Sequence, residues 1–249
     1  RLLLAGDTPG TVLRSTIAAG AEPGGALIVV EGDHRLITGF VGLNNTYSEA
    51  LGRFTVDAGV ELNTPFGFGE QLYARFSGHP EEGISSGDRG LLDDNPRVRT
   101  FAGGVRAPIG IEGLTAGIEG TISRTTPKVD SAFDPTSRFD RLSFRLRYPA
   151  IRSRALTLDT GATFDIQRER LDVIDEDGTV RISEDDLRVL RLDGSVSWLS
   201  EMGISTRAGL TASFGLDALG ARGEADVGDG VPLSRQSADA DFQVVGALV

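Results

Sequence analysis

Cysteine is absent from the 249 residues, so neither a disulfide framework nor a thiolate metal site can form. Histidine occurs only twice, at His34 and His79. One sits between patterned segments and the other in a polar stretch, so both read as solvated loop residues rather than a metal pair. A basic excess is also lacking: 25 Lys and Arg against 36 Asp and Glu leave a net charge of −11. That balance excludes a nucleic-acid binder, whose affinity rests on neutralising phosphates. No run approaches the ~20 apolar residues of a membrane-crossing helix, although a barrel strand needs only ~9–11 residues of alternating pattern. There is no G-x-S-x-G element, and "FGFGEQL" lacks the third glycine and the preceding strand of a dinucleotide loop. No catalytic residue and no cofactor is expected, and the chain does not read as an enzyme. A signal peptide is missing too. The chain opens on "RLLLAGD" and stops inside "DFQVVGALV", which reads as an internal stretch of a longer protein.

What is present is alternation. Glycine is 33 of 249, about twice the ~7% norm, as expected of an all-β chain with many turns. In "RLSFRLRYPAIRSRALTLDTGATFDI" (141–166), Leu142, Phe144, Leu146 and Tyr148 fall on one parity and Arg141, Ser143, Arg145 and Arg147 on the other. After "YPAIRS" the pattern resumes, with Leu156, Leu158, Ala162, Phe164 and Ile166 against Thr157, Asp159, Thr163 and Asp165. Successive strand side chains point to opposite faces, so this is a hairpin with one apolar and one polar surface. Similar alternation marks 54–62, 72–77, 114–123, 190–198 and 204–216, and more weakly 36–43, 97–107 and 239–249. That predicts about ten strands of roughly 9–13 residues, against the ~5–6 usual in globular proteins.

The connections alternate in length. "NTPFGFGE", "PIGIEG", "YPAIRS" and "LSEMG" are short, whereas the segments at 79–96, 125–137, 169–186 and 217–237 are long and polar. The first loop, "NNTYSEA", is a short exception. Outer-membrane barrels join strands by short turns on one side and longer loops on the other. An arginine facing lipid at the midplane costs ~2–4 kcal/mol, so the apolar parity faces lipid and the charged parity the lumen. Pore-lining candidates are Arg141, Arg145, Arg147, Asp159, Asp165, Arg191, Asp193 and Arg207. One further element, "DEDGTVRISE", places Asp175, Asp177, Gly178 and Glu184 at calcium-loop spacing. Val173 stands where the first ligand should be, and Asp177-Gly178 reads better as a tight hairpin turn. The loop acids, among them Glu81, Glu82, Asp93, Asp94, Asp185 and Asp186, read as a solvated outer surface.

Residues 1–34 differ. "RLLLAGDTPG" reads as a helix end stopped by Pro9 and Gly10, followed by strands over 11–18 and 26–31. "LLLAGDTPGTVLRSTIAAGAEPGGALIVVEGD" resembles the end of the second polypeptide-transport-associated (POTRA) domain of two-partner secretion transporters, the outer-membrane haemolysin-activator type. "ITGFVGLNNTYSEALGRFTVDAGVELNTPFGFGEQLYARFSG" resembles their first three barrel strands, most tellingly in the turn of Asn63, Pro65, Gly67 and Gly69. The resemblance is continuous over about the first 78 residues and is pattern alone beyond. It implies the C-terminal part of a POTRA domain at 1–34 and, at 35–249, the N-terminal part of an up-and-down transmembrane barrel, about ten strands of an expected sixteen. It also implies a monomer when complete, in a Gram-negative outer membrane, whose partners are a secreted polypeptide and outer-membrane lipid. The alternatives are an outer-membrane assembly barrel of the same architecture, a passive porin and a soluble β-rich adhesin.

Overall fold

The computed structural model describes residues 2–22, 24–80, 91–130, 133–175, 178–228 and 230–248. A single helical turn, Leu2–Ala5, precedes a separate hairpin of β1 (Thr11–Ala19) and β2 (Ala26–His34). Ten further strands follow: β3 (Ile37–Asn44), β4 (Thr55–Asn63), β5 (Gln71–Gly78), β6 (Val98–Ile109), β7 (Leu114–Thr125), β8 (Asp134–Arg152), β9 (Leu156–Asp175), β10 (Gly178–Leu199), β11 (Ser205–Gly215) and β12 (Gln243–Leu248). They form one antiparallel sheet in which chain neighbours are sheet neighbours throughout, from β3 at one edge to β12 at the other. The expected all-β, up-and-down architecture is what the chain adopts.

Register carries the alternation across the sheet. Val105, Ile118, Phe144, Phe164, Leu190 and Phe214 form one cross-strand row. Tyr73, Gly104, Glu119, Ser143, Asp165 and Val189 form another, on the opposite face. The burial of the two faces inverts that of a soluble protein. Among the described residues the only buried hydrophobic side chains are Val98, Val189 and Ala240, whereas Asn63, Gln71, Glu119, Thr121, Ser143 and Asp165 are buried. Val41, Ile118, Phe144, Leu146, Trp198 and Leu210 stand exposed. A sheet of this size with its apolar side in water would forfeit ~25 cal/mol for every Å² left uncovered. No helix among the described residues is long and apolar enough to cross a membrane.

Three expectations need correction. First, 169–186 is not a loop. β9 and β10 continue as a paired hairpin of 20 and 22 residues, with Asp175 opposite Gly178. The turn expected at Asp177 falls on a residue outside the described ones. At ~3.3 Å per residue β10 runs for ~70 Å, well beyond the ~30 Å of a hydrocarbon layer. Its charges are what allow the extension: Arg181 meets Asp172 at 2.8 Å and Glu184 at 2.7 Å, and Arg168 meets Asp186 at 2.7 Å. Beyond the end of β11, Leu216 and Pro232 bond to the edge of β10, through Leu216 N–H to Arg188 O (2.8 Å) and Glu184 N–H to Pro232 O (3.0 Å). Second, the 148–153 connection shrinks to residues 153–155, because β8 continues to Arg152 through a bulge between Pro149 and Ile151. A bulge is where a strand accepts proline. Third, His79 is not solvated; it is buried, with Nδ1 2.5 Å from the Phe54 carbonyl. His34 is exposed, as read, and lies 3.0 Å from Thr11 Oγ1.

Candidate functional site

All eight candidate residues fall on the polar face, because paired residues share a side and the register links them strand by strand. They do not pair as expected. Arg141 and Arg145 turn away from Asp159 and Asp165 and converge on Glu119 of β7. Arg145 grips that carboxylate with both terminal nitrogens, at 2.7 and 3.1 Å, and Arg141 adds a bond at 3.2 Å. Glu119 lies opposite Ser143, so the two arginines are its diagonal neighbours, within reach of long side chains. Asp165 is held instead by Ser143 and by Arg191 of β10. Arg207 reaches Ser197 at 3.4 Å. Arg147 and Asp159 sit lower, in a cavity of about 360 Å³ beside the N-terminal segment.

Tyr73 completes the Glu119 cluster from β5. Its hydroxyl donates to Glu119 at 2.7 Å although β6 lies between the two strands. The crossing is possible because the intervening residue is Gly104; a Cβ there would come 2.7 Å from the Tyr73 oxygen and 2.5 Å from the Ile118 carbonyl. Tyr73, Gln71, Arg106, Glu119, Arg145 and Arg147 line a smaller cavity of about 170 Å³ on this face. Glu119 was not among the expected pore residues, though its polar parity was visible. A doubly gripped carboxylate of this kind resists change: removing one partner of a buried ion pair typically costs ~3–5 kcal/mol.

The second organised region is the junction between the N-terminal hairpin and the sheet. Asn63, the first residue of the "NTPFGFGE" turn, is fully buried. Its Nδ2 donates to Arg35 O and Thr38 Oγ1, both at 3.0 Å, and its Oδ1 accepts from Gln71 at 2.8 Å. Arg35 N–H in turn bonds Gly10 O at 2.9 Å. Gly10 has φ +71° and approaches so closely that a Cβ would lie 2.6 Å from Asn63 Cβ. The turn itself is closed by Glu70, whose carboxylate accepts the Phe66 and Phe68 amides. Burial raises the Glu70 pKa, but the backbone amides of Phe66, Glu70, Phe68 and Gly67 outweigh it and hold the carboxyl below its ordinary value. Phe66 and Phe68 point outward, 70% and 78% exposed. A further tie joins the region, Arg152 Nη2 to Asp7 Oδ1 at 2.6 Å.

No carboxylate and histidine group suited to a metal ion occurs among the described residues, and Asp177 of the calcium-loop spacing lies outside them. Glu184, the twelfth position of that spacing, is engaged by Arg181.

No family model matches the sequence, and no curated protein matches it. Solved structures do. CdiB from Acinetobacter baumannii aligns over 82% of this chain and 36% of its own, at 13% identity and a TM-score of 0.48. CdiB from Escherichia coli aligns over 95% of this chain at 15% identity and a TM-score of 0.69. This chain spans 41% of the length of the E. coli protein, and over that span the two share a fold.

Proposed function

We propose that the chain is part of an outer-membrane transporter that secretes a partner polypeptide, a two-partner secretion transporter like CdiB. The observation that carries the proposal is the inverted distribution of polarity in a ten-stranded meander of CdiB-like fold. An apolar face left outward, with the ionic residues buried on the other, is stable only where lipid covers the first and water or protein meets the second. In this reading residues 35–249 are the N-terminal part of the barrel, and Arg141, Arg145, Arg147, Asp159, Asp165, Arg191, Asp193 and Arg207 line its lumen.

Residues 1–34 are then the end of a POTRA domain. β1 and β2 pair only with each other among the described residues, so each presents a free edge. Strand addition at such an edge captures an extended chain through backbone hydrogen bonds, which tolerates varied sequence. The charged lumen offers the passing backbone hydrogen-bonding groups and no apolar trap. No covalent step is involved.

Deleting the gene from its host tests the proposal. The expected result is loss of one large polypeptide from the culture supernatant, restored by the gene in trans. A fall in many outer-membrane proteins would identify an assembly factor instead. An unchanged supernatant with reduced uptake of small solutes would identify a passive porin.

A further inference from the structure

On the lipid-facing side of the sheet, one cross-strand row breaks the apolar pattern. Arg99 of β6 pairs with Arg124 of β7, Arg124 with Arg138 of β8, and Arg138 with Arg170 of β9. Four arginines thus stand side by side on four consecutive strands. Their face is the outward one: two residues along each strand, toward the N-terminal hairpin's side of the sheet, come Phe101 and Ile122, both exposed. The row of Val105, Ile118, Phe144 and Phe164 lies beyond. The arginines therefore border the apolar band at the end with the long connections.

Like charges directly opposite one another on a sheet are destabilising, because opposed Cβ atoms are only ~4.5–5.5 Å apart. Among the described residues, acidic side chains do not neutralise the row. Arg99 is spent on two carbonyls, Leu91 O at 2.6 Å and Asp93 O at 3.0 Å, which hold the guanidinium without removing its charge. Arg124 has Asp94 at 3.8 Å, a side chain 97% exposed. Arg170 has Glu184 at 3.8 Å, while Glu184 is already bonded to Arg181 at 2.7 Å. Arg138 has no acidic partner among the described residues. The Nε atoms of Arg138 and Arg170 are buried without an acceptor. The next row inward, by contrast, balances itself, with Asp140 and Asp186 flanking Arg168.

We propose that Arg99, Arg124, Arg138 and Arg170 bind the phosphate groups of an anionic lipid headgroup in the outer leaflet. The proposal rests on the lipid-facing reading of this surface given above. Guanidinium forks match phosphate oxygens in pairs and remain charged at all relevant pH. A row rather than a pocket suits a ligand carrying more than one phosphate, whose acyl chains then lie along Phe101, Ile122, Ile118 and Phe144. A free phosphate would gain nothing from that apolar continuation. The lipid supplies what the row lacks, negative charge held at the edge of the apolar band.

The test uses the full-length protein in mild detergent, with native mass spectrometry as readout and heat-modifiable gel migration as the control for a formed barrel. A bisphosphorylated, multiply acylated glycolipid should be retained. Its dephosphorylated form should bind at least tenfold more weakly, and millimolar inorganic phosphate should not displace it. Arg124→Gln with Arg138→Gln should lower retention at least tenfold while leaving heat-modifiable migration intact. Should the pair fail to assemble, Arg138→Gln alone should lower retention severalfold, and Arg138→Lys should restore part of it. Equal retention of both glycolipids, equal retention by the variants, or full displacement by inorganic phosphate would overturn the lipid site. If the wild-type protein shows no heat-modifiable form, the barrel reading itself has failed.

Discussion

Tyr73 and Glu119 are bonded to each other at 2.7 Å across a strand that belongs to neither of them, over the bare backbone of Gly104. The contact ties β5 to the Arg141–Glu119–Arg145 cluster and spans three strands of the polar face. Hydrogen bonds to a charged group are worth ~1.5–3 kcal/mol. Tyr73→Phe should therefore destabilise the full-length protein by ~1–2 kcal/mol in urea titrations in detergent. Gly104→Ala should cost more, because its Cβ displaces both the phenol and the Ile118 carbonyl. In a Tyr73→Ala background the Gly104→Ala penalty should shrink, since only the carbonyl clash remains. Additive losses would show that the two residues are not coupled.

The two faces can be tested on adjacent residues of β9. Leu158 pairs with Val196 on the apolar side and Asp159 with Ser195 on the polar side. Leu158→Arg puts a charge into lipid at a cost of ~2–4 kcal/mol and should abolish heat-modifiable assembly. Asp159→Asn should assemble normally and change only single-channel conductance. Both variants assembling alike would remove the face assignment for this strand.

These assignments were legible because strand periodicity is 2, and a face can be read without knowing any partner. Partner choice was not legible. Arg141 and Arg145 select Glu119 through a diagonal set by register, and no local pattern specifies which strand offset brings them together. The length of β9 and β10 was hidden for a related reason. Arg168, Asp172, Arg181, Glu184 and Asp186 look like loop residues until cross-strand pairing turns them into a ladder of ion pairs. His79 shows a third limit: its burial comes from the Phe54 carbonyl and the close backbone of Gly52, neither of them near it in sequence. The "NTPFGFGE" turn stood out by motif, but its function as the anchor of Gly10 and Arg35 needed the fold.

Sidedness follows from strand direction. Ser153 lies in the β8–β9 turn, on the side of Asp7, and Asp217 follows β11 on the opposite side. Cysteines at these two positions of the full-length protein should differ on whole cells, Asp217→Cys reacting with an impermeant maleimide and Ser153→Cys reacting only after the membrane is opened. Equal labelling of both would reject the topology.

Glu70 makes the short turn acid-sensitive. Its folded pKa lies below its unfolded value, so its stabilising effect is full above the unfolded pKa and is lost as pH falls through the folded one. The wild-type protein should therefore lose stability on acidification below the ordinary glutamate range near ~4.3 more steeply than Glu70→Gln. The variant should already be weakened at neutral pH, because a neutral amide accepts the Phe66 and Phe68 amides less strongly. Parallel pH curves for the two proteins would show that the carboxylate does not act through this turn.

The junction offers a charge-reversal experiment with a rescue. Asp7 lies in the segment that leads into β1, Arg152 ends β8, and their 2.6 Å contact joins parts of the chain 145 residues apart. Both side chains are partly exposed, so the pair alone is worth ~0–1 kcal/mol and its loss should leave assembly intact. What it controls is orientation. With Asn63 and Gly10 fixing the chain at one point, the Asp7–Arg152 contact supplies a second, and two points of attachment restrict swinging of the hairpin against the sheet. Asp7→Arg or Arg152→Asp alone should broaden the distribution of spin-label distances between Ser15 and Ser200 in the full-length protein. The doubly reversed variant should narrow it again. Gly10→Ala acts at the other point, and should broaden the distribution whichever way the Asp7–Arg152 charges run, because the added methyl displaces Asn63 and Arg35. Distances that do not respond to either reversal would mean that the junction is held by Asn63 alone.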